Sequence, residues 1–268
     1  MAGPTPRSFA RVRDEWNNWG ERDPLWAIVS VPEHRGNRWD EAAFFRTGVE
    51  RVDGLFARLR DSDLPVRDGT ALDFGCGVGR LTQALARHFP SVVGVDVSPA
   101  MIRSARERNR EPERVRFEVN PYPDLRAFGA GTFSFVFADI VLQHLPPPIA
   151  LGYVGEFLRV VAPDGLVCFQ LPSGPASPWL GWIPAAVLDP AYNWSRRGLR
   201  AVHLASPGWD THWVARAGVM GAVNAAGGNL LRILAEPPIH GRLVNQTYAA
   251  APRTMSSAPT GHPITGTG

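Results

Sequence analysis

Ala71-Leu-Asp-Phe-Gly-Cys-Gly-Val-Gly79, followed by Val92-Val-Gly-Val-Asp96, decides the fold of this 268-residue chain. An apolar run enters a loop with glycine at Gly75, Gly77 and Gly79, an amphipathic stretch follows over Leu81–His88, and a second apolar run ends in a single acid. This pattern predicts a strand–loop–helix–strand unit. Its loop lets backbone approach a ligand closely, and its acid can accept hydrogen bonds from a ribose. A dinucleotide fingerprint would need a third glycine at position 80, where this chain has Arg80. The pattern is instead D-x-G-x-G-x-G with Asp73 at the strand end. An acid there disfavours a pyrophosphate and suits a ligand with a positively charged group such as an amine.

Outward from this unit, Thr70–Phe74, Val92–Asp96, Val115–Val119, Phe133–Asp139 and Leu166–Leu171 read as short, mostly buried strands. Helical stretches lie near Arg80–His88, Ala100–Asn109 and Ile149–Val161. Such alternation predicts an α/β fold with a mostly parallel sheet and helices on both faces, and places a ligand beyond the carboxyl ends of the strands. Pro172-Ser-Gly-Pro-Ala-Ser-Pro178 breaks the pattern. A helix near Trp213–Ala226 then precedes two β-rich runs, Asn229–Leu234 and Leu243–Ala249, joined through Pro237-Pro238 and Gly241. Residues 251–268 have little to bury and are predicted to be disordered.

Composition narrows the chemistry. All 28 basic residues are arginine, so lysine Schiff bases, Walker-type phosphate binding and the kinase strand lysine are excluded. With Cys76 and Cys168 the only cysteines, no disulfide framework exists. No run reaches a membrane span, and the N-terminal residues lack the apolar core of a signal peptide, so a cytoplasmic protein without a membrane partner is expected. The formal charge is +3, and the densest basic stretch, Arg103–Arg116, is interleaved with Glu107, Glu111 and Glu113. Mixed signs make a solvated helix face, and no nucleic-acid partner is expected. The seven histidines are scattered, without metal-ligand spacing, and no metal is expected.

The glycine loop and Asp96 resemble the first two motifs of the class I S-adenosylmethionine (SAM) methyltransferases of small molecules. Ile140-Val-Leu-Gln-His-Leu-Pro146 is similar to that family's fourth motif. The resemblance covers roughly residues 40–250 and implies a Rossmann-like, seven-stranded sheet with an aromatic-rich cap. It divides the chain into an N-terminal helical cap (1–60), a SAM-binding domain (61–250, with a cap insertion at about 173–212) and the tail. The cofactor contacts it implies are Asp73, Gly75, Cys76, Gly77 and Gly79 around the methionine portion, with Asp96 and Val97 at the ribose. Met101, Asn120 and Leu125 fall near the adenine, with Asp124 the acidic alternative to Asn120, and Ala138, Asp139 and Gln143 near the sulfonium and methyl group. His144 is the first candidate for a base, or else shapes the loop and substrate wall; His203 and His212 are the second choices.

The resemblance favours O-methylation of a small apolar or aromatic metabolite in specialised biosynthesis. N- or C-methylation, and a non-methylating cyclase or SAM-binding protein, stay open. The fourth strand carries Phe133-Ser134 where the family usually has Phe-Asp. Tryptophans flank the predicted core on both sides, before it at 16, 19, 26 and 39 and after it from 179 to 213. They fit either a small cap core or an aromatic pocket wall. The oligomeric state is left open, a homodimer being compatible.

Overall fold

Thr70–Phe74 (β1) is the central strand of the sheet in a computed structural model, which describes residues 6–175, 191, 194, 195, 210–239 and 243–253. Every residue of β1 after Thr70 is buried, as an apolar run covered on both faces must be. Ser91–Asp96 (β2) and Phe133–Ala138 (β4) pair with it in parallel on either side, Val115–Val119 (β3) lies beyond β2, and Val161–Gln170 (β5) lies beyond β4. Leu243–Pro252 (β8) runs antiparallel to β5, and Gly228–Ile239 (β7) and the two-residue Gly174–Pro175 (β6) pair antiparallel with β8. The order is β3-β2-β1-β4-β5-β8-β6, with β7 also on β8. The chain reverses its direction of winding between β1 and β4, and the glycine loop opens at that crevice.

Helices cover both faces. Glu41–Asp61 (α3), Arg80–Leu85 (α4) and Pro99–Glu107 (α5) stand on one side, with Phe56, Leu85, Phe117 and Phe135 in their core. Pro147–Val160 (α6) and Arg216–Ala225 (α7) stand on the other, around Phe74, Tyr153, Phe157 and Phe169. Asp40 caps α3 by accepting from Ala43 N, and Ser98 caps α5 by accepting from Met101 N, with Pro99 next to it at the first helical position. Pro6–Arg22 (α1) and Pro24–Ile28 (α2) lie across the opening. Asn17 Oδ1 ties α1 to the start of α5, accepting from Ala100 N at 3.0 Å.

Several boundaries differ from the sequence expectation. The sheet has eight strands when β6 is counted. β5 begins at Val161, not Leu166: Phe133 pairs with Val161 and Phe135 with Leu166, so the turn-like Pro163-Asp-Gly165 is an irregularity inside the strand. β7 continues through Pro237-Pro238 by a similar irregularity between Glu236 and Ile239. Ala251 and Pro252, predicted to start the disordered tail, pair with Asn229 and Gly228. Residues 254–268, His203, Gly241 and most of the predicted cap at 173–212 lie outside the described residues.

Candidate active site

A cavity of about 1020 Å³ opens at the carboxyl ends of β1, β2 and β4, under α1 and α2. It lies at the upper end of small-ligand pocket sizes, with room for more than one small molecule. Two glycines show why the loop below it has its composition. Gly75 and Gly77 hold φ of 72° and 53°, and a Cβ on them would stand 2.4 Å from Val141 Cγ2 and 2.5 Å from Ile28 Cδ1. Side chains there would be strained and would push into the cavity wall.

Asp96 ends β2 at the cavity. Its Oδ2 accepts from Gly77 N at 2.9 Å and its Oδ1 from Ser98 N at 2.8 Å, so the loop and the acid form one unit. Burial raises its pKa and these backbone donors oppose the rise. Each oxygen keeps a lone pair for a further donor, which is what a vicinal diol requires. Val97, Met101 and Asn120 line the same end. Asn120 is held by its own amide, which donates to Asp124 O at 2.9 Å.

At the other end stand Ile140, Val141, Gln143 and His144 from the turn after β4, with Phe9, Val12 and Trp16 of α1. Ile140 adopts φ 60°, rare for a β-branched residue, and its N–H donates to Gln170 Oε1 at 2.9 Å. His144 Nδ1 lies 3.1 Å from the carbonyl of Asp210. A carbonyl can only accept, so Nδ1 carries the hydrogen and Nε2 a lone pair. The amide nitrogen of Gln143 lies 3.3 Å from that Nε2 and donates to it. Gln143 Oε1 is buried without a hydrogen-bond partner. His144 therefore holds Gln143 in a fixed orientation.

Between these ends lies a charged corner of which sequence reading anticipated Asp139 alone. Arg51 of α3 grips Asp139 with Nε at 2.9 Å and Nη2 at 2.6 Å, and reaches Glu236 of β7 with Nη1 at 3.1 Å. Burial works against the Arg51 charge, but the two carboxylates more than offset it and raise its pKa. Arg58 and Thr247 also donate to Glu236. Arg80 and Thr47 complete the corner. Arg80 was visible in sequence only as the residue that breaks the dinucleotide spacing. Asp139 was expected here from its place at the end of β4, but its partner Arg51 lies 88 residues away and carries no local signal.

Of the residues singled out in sequence, Gly75, Cys76, Gly77, Asp96, Val97, Met101, Asn120, Asp139, Gln143 and His144 line this one cavity. Asp73 does not. It is 1% exposed and accepts from Thr82 Oγ1 at 2.6 Å, behind the loop. Burial pushes its pKa up to about 7. Gly79 caps α4, and Leu125 and Ala138 are fully buried in the core, outside the cavity lining. Asp124 turns away to Arg126. His212 is placed by a backbone bond, its N–H donating to Gln143 O at 2.7 Å, and does not line the cavity. Among the tryptophans, Trp16 and Trp26 form cavity wall, and Trp26 also packs on Trp19 within the α1–α3 cluster. Both predicted uses of tryptophan thus coincide at the cover. The Cys76 thiol is pushed well above its usual range by burial and then by Asp96 and Asp73, which makes it a wall group and not a nucleophile. Among the described residues no group of histidine, cysteine and acidic side chains is arranged to hold a metal ion, and no helix is long and apolar enough to cross a membrane.

Residues 71–165, from β1 into β5, match the family model described as a methyltransferase domain. These residues form a methyltransferase domain. Its fold is that of magnesium protoporphyrin IX methyltransferase from Synechocystis PCC 6803, solved with bound SAM: TM-score 0.60 at 18% identity, over 94% of this chain and all of that one. Trans-aconitate 2-methyltransferase of Azoarcus sp. (strain BH72) is 35% identical over 138 residues, 50% of this chain and 51% of that protein. The ubiquinone biosynthesis O-methyltransferase of Thiobacillus denitrificans is 30% identical over 144 residues, 53% of this chain and 61% of its own length. The chain thus spans half to three fifths of the curated relatives it matches.

Proposed function

We propose that the cavity binds SAM and that the methyltransferase passes its methyl group to a hydroxyl oxygen of a small, partly apolar or aromatic metabolite. The observation that carries this reading is the joint unit of Asp96 and the glycine loop, opening into a cavity with room for a second molecule beside the cofactor. In the step, the methyl carbon–sulfur bond breaks and a carbon–oxygen bond forms in line. The cofactor leaves as neutral S-adenosylhomocysteine (SAH), and the hydroxyl gives up a proton. Enforced alignment of sulfur, carbon and oxygen supplies much of the rate. Asp96 takes the ribose hydroxyls, and Gly75, Cys76 and Gly77 follow the methionine portion with their backbone. Met101 and Asn120 flank the adenine. His144 orients Gln143 and, once an acceptor hydroxyl displaces that amide, receives its proton.

Calorimetry with SAM and SAH, then mass spectrometry of reactions with hydroxylated pathway intermediates from the genomic neighbourhood, tests the proposal. The expected result is SAM binding and a product one methyl group heavier, formed together with SAH. His144→Ala should then lower turnover about a hundredfold with little change in SAM affinity. Methyl found on nitrogen or carbon would replace the reaction type and keep the cofactor. Tight nicotinamide binding without SAM binding would end the reading.

A further inference from the structure

Ile140 opens a chain of side-chain amides whose polarity the backbone fixes. It follows β4 and donates its N–H to the side chain of Gln170, which ends β5 and is 1% exposed. A backbone N–H can only donate, so the atom that receives it at 2.9 Å is Gln170 Oε1. The other end of that amide, Nε2, is then a donor, and it donates to Asn245 Oδ1 on β8. Asn245 is left with Nδ2, which carries two hydrogens. Among the described residues nothing accepts from it.

Ile140, Gln170 and Asn245 all line the cavity, and Asn245 is partly exposed. Its amide cannot turn over, because Nδ2 would then face Gln170 Nε2, donor against donor. The cavity is therefore offered a fixed donor. The charges beside it cancel: Glu236, opposite Asn245 on β7, and Asp139 are matched by Arg51 and Arg58. An uncharged donor in neutral surroundings suits an uncharged oxygen that only accepts, and a carbonyl is that group. The order of strands says which ligand reaches it. Asp96 ends β2, the glycine loop follows β1, and the turn with Gln143 and His144 follows β4. β8 stands four strands from β2, about 19 Å at the usual spacing, so Asn245 lies beyond that turn as counted from Asp96 across the sheet.

We propose that Asn245 Nδ2 is a specificity-determining donor for the methyl acceptor, and that the acceptor carries an uncharged carbonyl oxygen besides the hydroxyl that is methylated. Giving this donor to the acceptor rests on the SAM reading of the cavity, which puts the cofactor between Asp96 and the glycine loop. The carbonyl does not react. It docks on Nδ2 and turns the hydroxyl towards His144.

The experiment is calorimetry of wild type, Asn245→Leu and Asn245→Asp at pH 7, with and without saturating SAH. The probes are the positional isomers of hydroxyacetophenone, the matching ethylphenols, which replace the carbonyl by a methylene, and the matching hydroxybenzoates, which carry a charge. Wild type with SAH should bind one hydroxyacetophenone about tenfold more tightly than its ethylphenol and its hydroxybenzoate. Asn245→Leu should lose that preference and keep its SAH affinity. Asn245→Asp keeps an oxygen for Gln170 and loses the donor, so it should lose the preference as well, and it decides the matter if Asn245→Leu does not fold. No preference for any ketone, a preference that survives the substitutions, or a preference for a hydroxybenzoate overturns the proposal. Loss of SAH affinity in the variants overturns the assignment of Asn245 to the acceptor. Wild type that binds no SAH overturns the SAM reading instead, and the probes without SAH then decide whether Asn245 recognises a carbonyl.

Discussion

At the scale of single residues, the acids at the strand ends have separated into different roles. Asp96 faces the cavity with backbone donors on it, Asp139 is locked in an ion pair, and Asp73 is sealed behind the loop. Asp73 then has a predictable cost. Its folded pKa is pushed by burial up to about 7 from an ordinary 3.8, so between these values the folded protein holds a proton that the unfolded chain releases. The contribution of Asp73 to stability is therefore greatest below about pH 4, falls as pH rises towards 7 and levels off above. Asp73→Asn keeps an acceptor for Thr82 and removes the titration. The variant should gain stability over wild type at pH 8, on the order of 4 kcal/mol at most, and the gain should shrink towards zero at pH 4. Urea denaturation at a series of pH values measures the difference; a gain independent of pH would contradict it.

At the scale of elements, α3 carries two glycines with opposite meanings. A Cβ on Gly48 would stand 2.4 Å from the backbone oxygen of Arg80, so this glycine sets how closely α3 approaches α4 and where Thr47 and Arg51 reach the cavity. A Cβ on Gly54 meets nothing within 4 Å. Gly48→Ala should destabilise the protein by about 1–3 kcal/mol, because rigid backbone must move. Gly54→Ala should stabilise it by about 0.5–1 kcal/mol, because the unfolded chain loses freedom and the helix loses nothing. Denaturation midpoints of the two variants should move in opposite directions, and a shared direction would refute this account of the α3–α4 contact.

At the scale of the whole molecule, the cavity is assembled from α1, α2, α3, the ends of β1, β2 and β4, and the β7–β8 edge. A ligand that fills it bridges segments from residue 9 to residue 245 and binds the folded state alone. SAH at a hundred times its Kd should add about 2.7 kcal/mol to stability and raise the melting temperature by roughly 5–10 °C. Thermal scanning with and without SAH measures this. No shift at a concentration that saturates binding by calorimetry would mean that the ligand sits elsewhere than between these elements.

The sequence by itself determined the strands from β1 to β4, the glycine loop and the place of Asp96 at the end of β2. All of these arise from local pattern: buried runs of fixed length, glycine where φ is positive, and an acid at a strand terminus. Boundaries at β5 and β7 were less legible, because Pro163-Asp-Gly165 and Pro237-Pro238 read locally as turns. Only pairing with β4 and β8 carries them inside strands. Leu125 and Ala138 looked like cofactor contacts by their order in the chain, but α6 and the sheet bury them. Tertiary structure alone decided that Arg51 belongs to Asp139 and Glu236, that His144 engages Gln143, and that Asn245 is left with an idle donor in a cavity. Ion pairs and orphaned donors depend on which distant side chains the fold brings within about 3 Å, and no local pattern in the chain encodes that distance.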